Sequence, residues 1–286
     1  MTTDLAAPHQ LRDGRRMFLS LPPAPKLSAF VHAYWFIEDL SGEHAGRAIR
    51  TSPLPVGVLS VNVGRPNATE DGDLIPRTSL LGLQTRVRTW RSCPDTYFVM
   101  VMLTIPGLLR IFPSTGSGAG NKLLDLGAVM GDAGAAAFAS EVAAIIEPPR
   151  IAAALDGWLI EQMARRESVP ERARLIAAYD VLRHGGSVGK AASTAHVDRR
   201  QLHRLFLRHL GIAPKELGDL ERIHRSLKSV QRVRGDAAAG FSDQAHQIRS
   251  WRRRLGVTPA AYRRAALSPM AAHFSSAART EPAFYL

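Results

Sequence analysis

From Leu27 to Ile105 the apolar residues come in short runs broken by Gly, Pro and Asp. Phe30–Ile37, Val56–Val63, Thr78–Leu83 and Tyr97–Ile105 predict β-strands. Strands at this spacing predict a small barrel or sandwich. After Leu126 the period lengthens. Phe138, Val142, Ile145 and Ile146, then Ile151, Leu155, Trp158 and Leu159, recur at helical spacing, and Pro148-Pro149 separates the two helices. Such stripes serve a core or a dimer seam. The short polar stretch Glu167 to Pro170 predicts a boundary. The fold class read from the pattern is α+β: a β-rich, barrel-like N-terminal domain over 1–166 (strands to about 125, then helices), an all-α domain over 171–266, and a tail over 267–286. Phe274, Phe284 and Tyr285 could dock that tail.

The all-α part contains an internal repeat at an offset of 45 residues. Asp198-Arg-Arg-Gln-Leu-His-Arg-Leu-Phe206 aligns with Asp243-Gln-Ala-His-Gln-Ile-Arg-Ser-Trp251, and Gly211-Ile-Ala-Pro214 with Gly256-Val-Thr-Pro259. A fixed period on two aspartates, two arginines, two aromatics, two glycines and two prolines marks a duplicated structural unit. Each copy makes physical sense. The aspartate caps a helix, accepting a free amide of the first turn. About three turns follow, with Leu202, Leu205, Phe206 and Leu210 on one face of the first copy. The glycine ends the helix in a left-handed conformation, and the proline starts the next one. Upstream, Val188–Ala195 predicts a short helix whose Ala191 and Ala192 allow a close crossing. Helix, tight turn and helix with a basic outer face is a helix-turn-helix.

Charge agrees. The chain has 286 residues and a formal net charge of +12. Residues 1–170 are neutral overall, so the whole excess lies in 171–286. Such a block calls for a polyanion, with nucleic acid ahead of a membrane surface, because neutralised phosphates release counterions. No apolar run reaches the ~18–20 residues of a membrane span, and Met1–Gln10 show no secretory signal. The single cysteine, Cys93, excludes an intramolecular disulfide and a cysteine-based zinc site. A reducing cytoplasm is the compartment expected. The glycine-containing loop Ser114–Lys122 lacks the Gly-Lys-Ser/Thr ending of a phosphate loop. No Gly-x-Ser-x-Gly or His-Glu-x-x-His occurs. The chain is therefore not expected to be an enzyme, and no cofactor or metal is expected.

Residues 171–265 resemble the AraC/XylS family of transcription regulators. The most specific stretch is Gly240-Phe-Ser-Asp-Gln-Ala-His246, continuing to Arg249 and ending Gly256-Val-Thr-Pro-Ala-Ala-Tyr-Arg263. Arg199–Phe206 with Gly211–Lys215 carries the likeness in the first copy. Tyr34-Trp35, Gly82-Leu-Gln-Thr85 and Pro106-Gly-Leu108 look like a variable sensor domain found in one branch of the family. The resemblance implies two helix-turn-helix units joined by a linker helix, here Glu216 to about Arg234, with recognition helices 199–210 and 244–255 in successive major grooves. It implies base contacts from Arg199, Arg200, His203 and Arg204 in copy one and Gln244, Ala245, Ile248 and Arg249 in copy two. Arginine reads guanine, glutamine reads adenine, and apolar side chains touch the thymine methyl. Arg208, Lys215, Arg252 and Arg253 are expected on phosphates. Double-stranded DNA is the implied partner. A small-molecule effector, a second copy of the chain and RNA polymerase are further candidates; a membrane is not. An activator is expected, although the sequence leaves activation versus repression open.

Three departures matter. His196 stands where the family usually has glycine in the turn; histidine tolerates positive φ. Gln247 stands at the buried position matching Leu202, where an amide needs partners or costs about 1–3 kcal/mol. Only Gly235-Asp-Ala-Ala-Ala239 separates the linker helix from Gly240, where the family places a fuller helix. Two further functions therefore remain open: a regulator that has lost autonomous DNA binding and acts by protein contacts, and a redox sensor through Cys93, with Arg91 close in sequence. A ligand in the mouth of the β-domain would meet Trp35, Trp90 and Tyr97, although strand aromatics also make plain core.

Overall fold

The computed structural model describes residues 18–113, 120–166, 169–231 and 240–265. Most of loop 114–122, the linker 167–168 and the tail 267–286 lie outside them. Among the described residues, nine strands form two sheets. The larger has the order β1 (Phe18–Leu21), β2 (Val31–Asp39), β8 (Thr96–Leu103), β4 (Gly57–Asn62), β6 (Thr78–Leu81) and β9 (Leu123–Asp125). The smaller comprises β3 (Ala48–Thr51), β7 (Arg88–Arg91) and β5 (Ala68–Thr69). Every named pairing is antiparallel. The two sheets do not share a hydrogen-bonded ladder, so the barrel-like domain is an open one.

The expected strands are all present, shifted by one or two residues. The run Tyr97–Ile105 is divided. The strand ends at Leu103, and Thr104 caps helix α1 (Ile105–Ile111), its hydroxyl accepting from the Gly107 amide at 3.0 Å. The central strands read as unbroken apolar runs because both faces of the large sheet are covered. Ala33, Trp35 and Ile37 of β2 join Met100 and Met102 of β8 in a core facing the small sheet. Tyr34 and Phe36 alternate onto the other face with Val99, Val101 and Leu103.

That second face is covered by α1 and by helices α2 (Leu126–Met130), α3 (Asp132–Ala143) and α4 (Pro148–Ala164). The prolines 148 and 149 open α4, where a missing amide costs nothing. A half-buried carboxyl ties α4 to the sheet: Asp156 accepts from the Tyr34 hydroxyl at 2.7 Å and the Ala24 amide at 2.9 Å. The same apolar core continues without a break into helices α5 (Pro170–Arg183), α6 (Val188–Thr194) and α7 (Arg199–Leu210), through Leu175, Ala178, Ala191, Ala192, Leu202 and Phe206. Helix α8 (Pro214–Gln231) follows, then α9 (Gln244–Leu255) and α10 (Pro259–Arg264). No helix among the described residues is long and apolar enough to cross a membrane.

Candidate nucleic-acid interface

Helix α7 is built as the sequence demands. Asp198 and Gln201 form a reciprocal capping box: Asp198 Oδ1 accepts from the Gln201 amide at 2.7 Å, and Gln201 Oε1 from the Asp198 amide at 3.1 Å. Leu202, Leu205, Phe206 and Leu210 face inward. Gly211 ends the helix at φ 70°, and His196 takes φ 51° in the preceding turn. The inward face leaves Arg199, Arg200, His203, Arg204 and Arg208 exposed. Arg199 folds back over α6. A Cβ at Gly189 would lie 2.7 Å from its guanidinium. Arg208 lies 3.6 Å from Glu171, and Lys215 is exposed at the start of α8.

Helix α9 repeats the plan. Asp243 Oδ1 accepts from the His246 amide at 2.7 Å, which holds its carboxyl below the usual range. Gly256 closes the helix at φ 73°. Gln247, Ser250, Trp251, Arg254 and Leu255 are buried. Gln244, Ala245, Arg249, Arg252 and Arg253 are exposed, and Ile248 is half-buried. Arg253 lies 3.7 Å from Asp219, which also pairs with Arg222. All eight residues expected on bases thus lie on the outer faces of two capped helices, Ile248 in part. The buried amide of Gln247 has its partner: Gln247 Nε2 and Trp251 Nε1 both donate to Ser226 Oγ, at 3.0 and 2.9 Å. One hydroxyl oxygen has lone pairs for two donors.

The repeat extends further than its sequence motif. In the first unit His209 Nε2 lies 3.1 Å from Glu171 Oε2. Forty-five residues on, Arg254 donates to Glu216 Oε1 at 3.0 Å. Both pairs tie the end of a capped helix, α7 or α9, to the first turn of the unit's first helix, α5 or α8. Helix α8 is therefore both linker and first helix of the second unit, with Leu220, Ile223 and Leu227 matching Leu175, Ala178 and Leu182. Arg254 is not among the residues expected from the sequence to act in the site. Its signal was the helical period, since it falls seven residues after Gln247 and three after Trp251. Arg174 is not among them either. It lines an open notch of about 350 Å³ with His196, Gln201, Arg204 and Arg208, and no motif marks it.

The N-terminal part offers a narrower space. Between the sheets lies a cavity of about 60 Å³ lined by Thr51, Asn62, Asn67, Trp90, Phe98 and Met100, among others, with no charged residue. Trp90 lines it, and its Nε1 donates to Thr51 Oγ1 at 3.1 Å. Trp35 instead packs edge-on against Phe18, and Tyr97 belongs to the core on the opposite face. Cys93 is half-buried, its amide bonded to Asn67 Oδ1. The described residues contain no metal-binding group of three or more His, Cys, Asp or Glu.

Comparison with known proteins places a helix-turn-helix domain family on residues 191–265. The matching helix-turn-helix family is of the AraC type, and it covers about a quarter of the chain. No curated protein sequence matches the chain. Solved structures of ToxT from Vibrio cholerae superpose loosely. One aligns at 11% identity over 87% of this chain and 98% of that one, with a TM-score of 0.44. Another, ToxT bound to (E)-4-(8-methylnaphthalen-1-yl)but-3-enoic acid, aligns at 11% identity over 87% and 98%, with a TM-score of 0.43. Similarity at this level carries no argument about the site.

Proposed function

We propose, taking the AraC-type helix-turn-helix domain as premise, that the chain is a sequence-specific, double-stranded-DNA-binding transcription regulator acting in the cytoplasm. The observation that carries this reading is the outer face of α7, where Arg200, His203 and Arg204 stand exposed on a rigidly capped helix. Arg199, folded over α6, must swing outward to reach a base. Copy one favours guanine-rich contacts through its arginines. Copy two, with Gln244, Ala245, Ile248 and Arg249, reads a more mixed sequence with fewer hydrogen bonds. Arg208, Lys215, Arg252 and Arg253 hold phosphates, which fix register without specifying sequence.

The N-terminal part modulates this binding, by an effector or by pairing with a second copy. The inter-sheet cavity is well below the ~300–1,000 Å³ of ordinary ligand pockets. An effector there is small, neutral and apolar, or enters only as the sheets part. Selection of bound DNA from a random pool at about physiological salt tests the reading. Two boxes about one helical turn apart are expected. Arg200→Ala with Arg204→Ala should abolish enrichment of the first box. Unchanged enrichment in that variant refutes the assignment of α7 as a reading helix. No enrichment for the parent chain favours the protein-contact alternative.

A further inference from the structure

We infer that the loop Thr85–Arg88 of the N-terminal part is a working piece of the second helix-turn-helix unit, and that Val87 positions α9. The inference rests on the DNA-binding reading above and goes beyond it. In the first unit the recognition helix leans on α6, whose Ala191 and Ala192 are buried beside Leu202 and Phe206. At the repeat's offset of 45 residues, Asp236 stands in the sequence at the position of the buried Ala191. Among the described residues, the second unit's core consists of the fully buried Ile223, Leu227, Trp251 and Leu255. Val87, from the far end of the chain, packs against that core together with Val230, Phe241, Val257 and Tyr262.

Three hydrogen bonds surround the apolar contact. The Val87 amide donates to the Arg254 carbonyl at 3.2 Å. Arg254 Nη1 donates to the Thr85 carbonyl at 2.9 Å, in a side chain only 7% exposed. Arg50 on β3 reaches the Leu255 carbonyl at 3.5 Å. The carbonyls of Arg254 and Leu255 belong to the last turn of α9, where no amide of the same helix remains to satisfy them. The N-terminal part therefore caps this recognition helix from outside. The matched residue of the first unit, His209, spans only to Glu171, whereas the longer Arg254 reaches both its helix partner and the loop. The bases' side of α9 stays free, since Gln244, Ala245, Arg249 and Arg252 point away from the buried face.

The docking elements also border the inter-sheet cavity. Thr51 and Trp90 line it, Thr51 pairs in register with Arg88, and Arg50 and Val87 are their near neighbours in the chain. Any shift of β3 against β7 moves the seat of α9 directly, which gives the N-terminal part a lever on the second DNA box alone.

Hydrogen exchange on the full chain tests the inference, with DNA footprinting as a second readout. In Val87→Asp, amides of 244–264 should exchange at least about tenfold faster while those of 199–210 keep their rates, and protection of the second box should be lost with the first retained. Val87→Ile should restore both. Unchanged exchange at 244–264 overturns the inference, whatever the DNA result. Should Val87→Asp loosen the whole molecule, the milder Arg50→Ala with Val87→Ala decides: local acceleration at 244–264 supports the seat, and uniform or absent acceleration refutes it. If the parent chain protects no DNA, the regulator reading fails while the exchange contrast still answers for the seat.

Discussion

Glu221 shows how a single carboxyl is handled inside the all-α part. It is 7% exposed on α8 and accepts from the Tyr179 hydroxyl of α5 at 2.7 Å. Burial raises its pKa, and it outweighs that hydrogen bond and the nearby Arg225 and Arg183, which favour the charged form. The folded state therefore holds the proton more tightly than the unfolded chain does. The stability this gives is fully present below the ordinary carboxylate pKa of ~4.3 and is lost as pH rises through the folded value. Glu221→Gln keeps an acceptor for Tyr179 and has no charge to bury. The variant should be more stable than the parent at neutral pH, with the gap closing below about pH 4. Urea titrations at several pH values check this. A variant less stable at neutral pH would mean that the carboxylate's partners outweigh its desolvation.

At the scale of elements, α1 illustrates a constraint that helix propensity would misjudge. Thr104 donates its hydroxyl to the Ala29 carbonyl at 2.8 Å, and its amide donates to the Phe30 carbonyl at 3.0 Å. The first turn of α1 is thereby pressed onto the 29–30 backbone, and a Cβ on Gly107 would collide with the Phe30 carbonyl oxygen. Alanine at a helix position normally gains about 1 kcal/mol over glycine. Displacing backbone in a packed core costs about 1–3 kcal/mol. Gly107→Ala should thus lower the denaturation midpoint by the excess, and a raised midpoint would show that the segment yields. Nothing in the sequence announced α1. Its seven residues follow a strand with the same apolar character, and a short apolar run does not reveal its period. The edge strands β1, β5 and β9 were hidden for a related reason, being two to four residues long. The helices α7 and α9, by contrast, were legible to the residue. Each has an aspartate cap and a left-handed glycine with 12 helical residues between them, and in α7 an apolar stripe agrees with both. The seat of α9 on Val87 was illegible, because it joins residues more than 160 positions apart and no local pattern encodes such a contact.

For the molecule as a whole, charge and apolar packing are divided differently along the chain. The apolar core runs continuously from the large sheet through α4 into the first unit, so no gap in packing marks the end of the N-terminal part. The charge does change there. Residues 1–170 are neutral and 171–286 carry the entire +12. A neutral body fused to a basic end presents one face to a polyanion, and the affinity of that face should depend on salt through the phosphates it neutralises. The residues assigned to phosphates and those assigned to bases then separate in one measurement. Arg208→Ala and Arg252→Ala should each reduce the slope of log K against log salt by about 0.9, weakening binding alike on all sequences. Arg200→Ala should cost about 1–3 kcal/mol on the preferred site and relax the base preference at one position. Arg208 also sits 3.6 Å from Glu171, both largely solvated. Its loss should therefore leave folding stability almost unchanged, since exposed pairs contribute about 0–1 kcal/mol. A slope that stays constant in both phosphate variants would place the DNA on another face of the basic domain.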